Sequence, residues 1–210
     1  MELKKIDQQG NYCDYPGITV IAKVDKREAQ FWSDLYHLVT QIELEQKCYT
    51  PLPWESYHMT AIRVINKAQY GQSDWREFLT RQKLYFQELA NYLNENSFLP
   101  EITFEKLNIT DTVYLSVNLP NNQSELINKI AEQFNLSFKI YKPFHITLAY
   151  FYKNPTFELK SILQEQITER LEKLYKLYGK KFTLESPKLC FYTDMTNFIN
   201  WDGENYPFNK

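Results

Sequence analysis

The sequence predicts an α+β fold: a single bilobed domain of two similar, βαβ-containing lobes, with mainly antiparallel sheets around a central cleft. Three observations carry this expectation. Short β-branched runs alternate with capped, helix-period segments from Ile18 to Tyr192 of the 210 residues. The order strand, helix, motif strand, helix occurs twice. No Gly/Ser-rich or low-complexity stretch splits the chain in two. The whole of residues 1–210 is therefore read as one domain, with lobe one over about 15–110 and lobe two over about 111–198. Exchange of strands between the lobes is allowed.

Each element has a local cause. Ile18 to Val24 is β-branched and apolar and follows the turn-like Tyr15-Pro16-Gly17, so it reads as a strand. Asp25 with Glu28 forms a capping-box pattern, opening a helix to about Gln46. A Pro-bounded loop, Tyr49 to Glu55, leads to a strand near Ser56 to Ile65. Asp74 with Glu77 opens one helix to about Glu95. Ile102 to Ile109 and Val113 to Leu119 read as two strands joined by a short Thr-Asp turn. The second alternates Val113, Leu115, Val117 and Leu119 with Tyr114, Ser116 and Asn118, giving one buried and one polar face. Asn122 with Glu125 caps a helix to about Phe134, and Phe144 to Phe151 is a strand. From Asn154-Pro155, an apolar stripe of Leu159, Ile162, Leu163, Ile167, Leu171 and Leu174 marks a helix, and Gly179 stands at its stop. Phe182 to Tyr192 has strand character. The last eighteen residues are aromatic and irregular, and carry no assignment.

Composition narrows the function. With 43% hydrophobic and 24% charged residues the chain is an ordinary globular protein, not a disordered one. The formal net charge of -2 supplies no global field for long duplex nucleic acid, so any phosphate is met in a local pocket. Cys13, Cys48 and Cys190 are odd in number and widely spaced, which argues against a disulfide framework or a thiolate zinc site. No secretory h-region follows the opening lysines, and no apolar run approaches a membrane span. The expectation is a soluble, cytoplasmic, monomeric protein with no membrane partner and no cofactor or metal.

Of three histidines, His37 sits within a helical segment and reads as a packed or surface residue. The other two open one repeated tetrad, His-x-Thr-apolar: His58-Met59-Thr60-Ala61 and His145-Ile146-Thr147-Leu148. Each lies in a predicted strand, where residues i and i+2 share a face. Each His/Thr pair therefore faces away from apolar neighbours suited to a core. The copies stand 145 − 58 = 87 residues apart, one per lobe. A neutral imidazole can take a proton from an attacking water or hydroxyl, and an imidazolium can give one to a leaving oxygen. Threonine hydroxyls beside them can donate hydrogen bonds to non-bridging phosphate oxygens. Together they suit cleavage of a phosphodiester without a metal. Local charge agrees: Gln133 to Phe157 holds Lys139, Lys142 and Lys153 and no acid, and Gln46 to Ser73 holds Lys47, Arg63 and Lys67 against Glu55.

The double tetrad resembles the 2H phosphoesterase superfamily, named for two His-x-Thr/Ser motifs in a bilobed fold like that of bacterial 2'-5' RNA ligase. YPGITVIAKV, PLPWESYHMT, FHITLAYFY and KLCFYTDMTNF resemble, in this order, a less characterised subgroup over about residues 15–198. The resemblance implies that His58 and His145 are catalytic and that Thr60 and Thr147 hold the phosphate. It also implies a small nucleotide or RNA-end substrate: a 2',3'-cyclic phosphate, or a 2'-5' linked or cyclic oligonucleotide. Tyr114, Ser116, Lys142 and Tyr192 are further candidates for the cleft lining, and Trp54, Phe151 and Trp201 join the aromatics that could stack on a base. Competing readings are two buried histidines satisfied by threonines, a metal held by the histidines, or a module that binds such ligands without turnover.

Overall fold

A computed structural model describes residues 3–42, 44, 47–71 and 74–208. In chain order the elements are β1 (Gly17–Lys23), α1 (Ala29–Thr40), β2 (Tyr49–Pro51), β3 (His58–Asn66), α2 (Lys67–Tyr70), α3 (Trp75–Arg81), α4 (Lys83–Glu95), β4 (Glu101–Ile109) and β5 (Thr112–Asn118). They continue with α5 (Asn121–Gln133), β6 (Phe144–Phe151), α6 (Phe157–Tyr178), β7 (Lys181–Thr183), β8 (Lys188–Asp194) and β9 (Asn197–Asn200). The fold is α+β, as expected, with its strands in one antiparallel sheet of order β7-β4-β5-β6-β3-β1-β8-β9 and β2 paired to β6.

The two halves of this sheet meet at a narrow seam. β3 and β6 share the single bridged pair Met59↔Ile146, whereas β5 and β6 pair along most of their length. The motif strands are thus neighbours at the seam, not members of two separate sheets. The proposed division at residue 110 also follows the sequence more than the sheet. β4 pairs with β5 in the second half, while β8 returns past it to pair with β1 in the first. Pro187 explains why Phe182 to Tyr192 does not form one strand: a proline interrupts a ladder, and β7 and β8 end on opposite halves.

Helices back the sheet. α1 buries Phe31, Trp32, Leu35, Leu38 and Val39, and α6 buries Leu163, Ile167 and Leu171. Phe31 stacks on Phe182 at 4.0 Å and meets Phe104 at 5.8 Å, and Trp32 meets Tyr57 at 6.5 Å. Because Tyr57 precedes His58 in an extended chain, this packing holds the histidine on the opposite face. Phe86, Leu89, Ala90 and Leu93 are the buried side of α4, which lies against β8.

Several boundaries differ from the sequence pattern. Asp25 caps a short 3₁₀ turn at Lys26–Glu28 through Arg27 N, and α1 ends at Thr40; the expected continuation reaches Glu43, Glu45 and Gln46, which lie outside the described residues. Asp74 caps as expected, accepting from Arg76 N and Glu77 N, but the helix it opens breaks at Gln82 into α3 and α4. α5 begins after Pro120 with no side-chain cap, so Asn122 is inside it. Thr156, not Asn154, caps α6 by accepting from Leu159 N, and Gly179 ends it at φ +82°. β2 and β9 had no counterpart in the sequence reading.

Candidate active site

Both tetrads reach one cavity of about 510 Å³. His58, Thr60, His145 and Thr147 all line it. Extending the Met59↔Ile146 register by one residue each way sets His58 opposite Thr147 and Thr60 opposite His145. The antiparallel pairing thus crosses the motifs, so that each histidine faces the threonine of the other. The extended register puts the two histidines at diagonal positions, about 7–8 Å apart for such a pair and somewhat less at Cβ. That spacing leaves room for one tetrahedral anion between the rings. Met59 and Ile146, pointing the other way, are fully buried.

The two rings are anchored alike. His58 Nδ1 lies 2.7 Å from Ser56 O, and His145 Nδ1 lies 3.2 Å from Pro143 O. In each case the acceptor is the carbonyl two residues upstream. A carbonyl can only accept, so Nδ1 must carry the proton. In the neutral ring this leaves Nε2 as a lone pair, and among the described residues neither Nε2 has a protein partner. The Thr60 and Thr147 hydroxyls are half-buried and likewise unengaged among the described residues.

Burial pushes the His58 imidazole down to about 4, with smaller contributions in the same direction from His145, Lys23 and Lys5. The ring is sealed on one side by Phe198 of β9, 4.2 Å away. Burial also lowers His145, aided by Arg63 and Lys5, but its ring neighbour is Tyr114 at 5.0 Å, on the more open side. Both shifts favour the neutral ring in the unliganded protein. An anion entering between the rings would raise both.

The remaining predicted residues divide. Tyr114, Lys142 and Tyr192 line the cavity. Lys142 Nζ donates to Ser124 Oγ at 2.9 Å. Tyr192 crosses over Gly17, where a Cβ would sit 2.3 Å from the Tyr192 hydroxyl oxygen; only glycine leaves that passage open. Ser116 is not cleft lining. It pairs with His145 in register, yet it is 1% exposed, and its hydroxyl donates to Lys106 O and accepts from Asn108 Nδ2. A neighbouring strand covers it where alternation alone had placed it in the open.

Trp201 packs on Phe86, and Phe151 on Tyr49, neither of them on the cavity wall; Trp54 is packed against the core. His37 is exposed on α1. Cys190 is buried, donates to Asn200 Oδ1, and has its thiol pushed up to about 12, so it is a packed residue and not a nucleophile. Among the described residues no three His, Cys, Asp or Glu side chains gather as a metal-binding group. No helix of these residues is long and apolar enough to cross a membrane.

Sequence reasoning missed three contributors. Lys5 arrives from the N-terminal segment and Phe198 from the unassigned C-terminal region. Tyr150 faces the cavity because β6 carries an extra residue, Leu148, between the pairs Tyr114↔Thr147 and Val113↔Ala149. That bulge reverses the alternation beyond Thr147. The one available signal was the tyrosine itself, which strict parity assigns to the wrong face.

The chain is similar to known proteins in sequence and in fold. An uncharacterised protein, 127L, of Invertebrate iridescent virus 6 is 24% identical over 225 residues, covering 94% of this chain and 94% of its own. The crystal structure of ATU0111, a conserved protein of unknown function from Agrobacterium tumefaciens str. C58, superposes with a TM-score of 0.70 at 17% identity, covering 94% of this chain and 89% of that one. A crystal structure of a phosphoesterase superposes with a TM-score of 0.50 at 12% identity, covering 90% of this chain and 96% of that one. These structural likenesses concern the fold. The model of the family 2H-phosphodiest, described as a domain of unknown function (DUF1868), matches residues 5–110, a span that includes Lys5, His58 and Thr60 and ends before His145. With half of its length matched, the chain belongs to this 2H-phosphodiesterase-like family.

Proposed function

We propose that the protein is a metal-independent phosphodiesterase that cleaves a small nucleotide or RNA-end phosphodiester. The observation that carries this reading is the convergence of the tetrads: two imidazoles, each with Nδ1 tied to a carbonyl and Nε2 without a protein partner among the described residues, line one cavity with the Thr60 and Thr147 hydroxyls. Family membership and the fold shared with a phosphoesterase support the same chemistry.

In this reading the phosphate sits between the rings and accepts hydrogen bonds from Thr60 and Thr147. His58, the more enclosed ring, acts as general base through the Nε2 lone pair and takes the proton of the attacking water or hydroxyl. His145, on the more open side, is the ring that picks up a proton when the anion binds, and it delivers this proton from Nε2 to the leaving oxygen. The carbonyls of Ser56 and Pro143 keep both rings in the required tautomer throughout. Negative charge growing on the non-bridging oxygens is met by the two hydroxyls. Two imidazoles supply both proton transfers, so the scheme calls for no metal.

The test is a panel of 2',3'-cyclic nucleotides and 2'-5' linked and cyclic oligonucleotides, incubated with excess chelator and read by chromatography. Product from at least one member is expected. Binding without product across the panel would instead make the cleft a capture site. Product that vanishes with chelator and returns with a divalent ion would overturn the metal-free scheme.

A further inference from the structure

The N-terminal segment brings a cation to the cavity that the acid/base scheme does not use. Residues 5–13 fold back on themselves. Ile6 bridges Tyr12, and Cys13 N donates to Lys5 O at 3.1 Å. The Asp7 carboxylate accepts from Gln9 N and Asn11 N to make the turn, and Gly10 completes it at φ +89°. Two hydrogen bonds pin this hairpin to β2: Tyr12 Oη donates to Thr50 O at 2.9 Å, and Thr50 Oγ1 donates to Gly10 O at 2.7 Å.

The hairpin delivers Lys5 to the cavity wall. Its ammonium stands 5.8 Å from the centre of the Tyr15 ring and 5.1 Å from that of Tyr150, and it donates to Tyr150 Oη at 3.4 Å. None of the four ion pairs among the described residues involves Lys5. A carboxylate partner would cancel its charge; tyrosine faces hold the charge in place and leave it available. Along β6 the order is His145, Thr147, then Tyr150 beyond the bulge. Lys5 therefore meets the site at the Tyr150 side, beyond its His58/Thr147 end. At the other end of the cavity Arg63 lies over the Tyr141 ring at 3.9 Å, beside Lys142.

We propose that Lys5 is a substrate-binding residue that holds a second phosphate, next to the one under attack, so that the cleft takes nucleotide ligands carrying at least two phosphates. This rests on the phosphodiester reading of the cleft. A cation held by the Tyr15 and Tyr150 rings at that end of the site is placed for an anion next to the one between the histidines. Lys5 then selects among substrates without taking part in proton transfer.

The experiment uses two probes, a 2'-5' linked dinucleotide with and without a 5'-terminal phosphate, and three proteins: wild type, Lys5→Gln and Lys5→Arg. For the phosphorylated probe, Lys5→Gln should raise KM on the order of tenfold with kcat within about twofold, and Lys5→Arg should restore most of the loss. For the probe without that phosphate, KM should change by less than about twofold. Equal changes for both probes, or none for either, overturn the proposal. Should wild type turn over neither probe, the failure belongs to the catalytic reading, and calorimetric binding of the same probes still decides on Lys5. Tighter binding of the phosphorylated probe by wild type than by Lys5→Gln supports it; equal affinity, or no binding of either, refutes it.

Discussion

His58 and His145 open the same four-residue motif, tie Nδ1 to the same relative carbonyl and face the same cavity, yet they live in different surroundings. His58 lies under the Phe198 ring, and burial pushes its imidazole down to about 4. His145 stands beside Tyr114, after the loop that brings Lys142 to the rim. Identical local sequence thus sets tautomer and direction, while tertiary packing sets affinity for a proton. A motif repeated for geometry can still yield one base and one acid.

The largest expected effect breaks both halves of the comparison. His58→Ala or His145→Ala should each lower kcat/KM on the order of 10²–10⁴-fold, with little change in Tm, because neither ring is a core packing residue. Full turnover by either variant, checked by a melt matching wild type, would remove the two-histidine scheme. Thr60→Val and Thr147→Val come next, at on the order of 10–10³-fold, since each removes one donor to the phosphate and leaves proton transfer in place. The register predicts a further distinction: Thr147 serves the His58 side and Thr60 the His145 side, so the two losses should combine when both are changed. Steady-state kinetics of the double variant measures this.

A stability measurement sharpens the contrast independently of any substrate. The folded-state pKa of His58, about 4, lies below that of an unfolded histidine, about 6.5. Between those values the unfolded chain binds a proton that the folded protein refuses, so wild type should lose stability as pH falls from about 6.5 to about 4, by up to about 3 kcal/mol. His58→Ala should show a shallower slope over that window in denaturant titrations. An unchanged slope would mean that the ring is not desolvated as described. The smallest expected effect comes from Gly17→Ala. Its new methyl displaces the Tyr192 hydroxyl from the cavity wall, which should raise KM by about two- to fivefold and leave kcat nearly unaltered.

Much of this site was legible in the sequence because the information is local. Strand parity alone put His58 with Thr60 and His145 with Thr147, opposite Tyr57, Met59, Phe144 and Ile146, all four of which are buried. What parity could not convey was the partner of each strand. Ser116 obeys the alternation and is still covered, since β4 bonds across it. Tyr150 breaks the alternation through a bulge, which leaves no mark in residue type. Phe198 and Lys5 come from the two ends of the chain, 140 and 53 residues away from His58, and only the folded sheet brings them to it. From the aromatic C-terminal region Phe198 closes over the histidine of another strand, a contact that no local pattern announces.

The most direct test of the difference between the histidines is an NMR pH titration of the imidazole resonances of wild type, before and after saturation with inorganic phosphate. In the free protein His58 should titrate well below His145, and both should lie below the ordinary histidine value of about 6.5. Phosphate should raise both midpoints, with His145 reaching the protonated form first as pH is lowered through neutrality. Coincident midpoints, His58 titrating above His145, or midpoints unmoved by phosphate would contradict the assignment of His58 as base and His145 as acid.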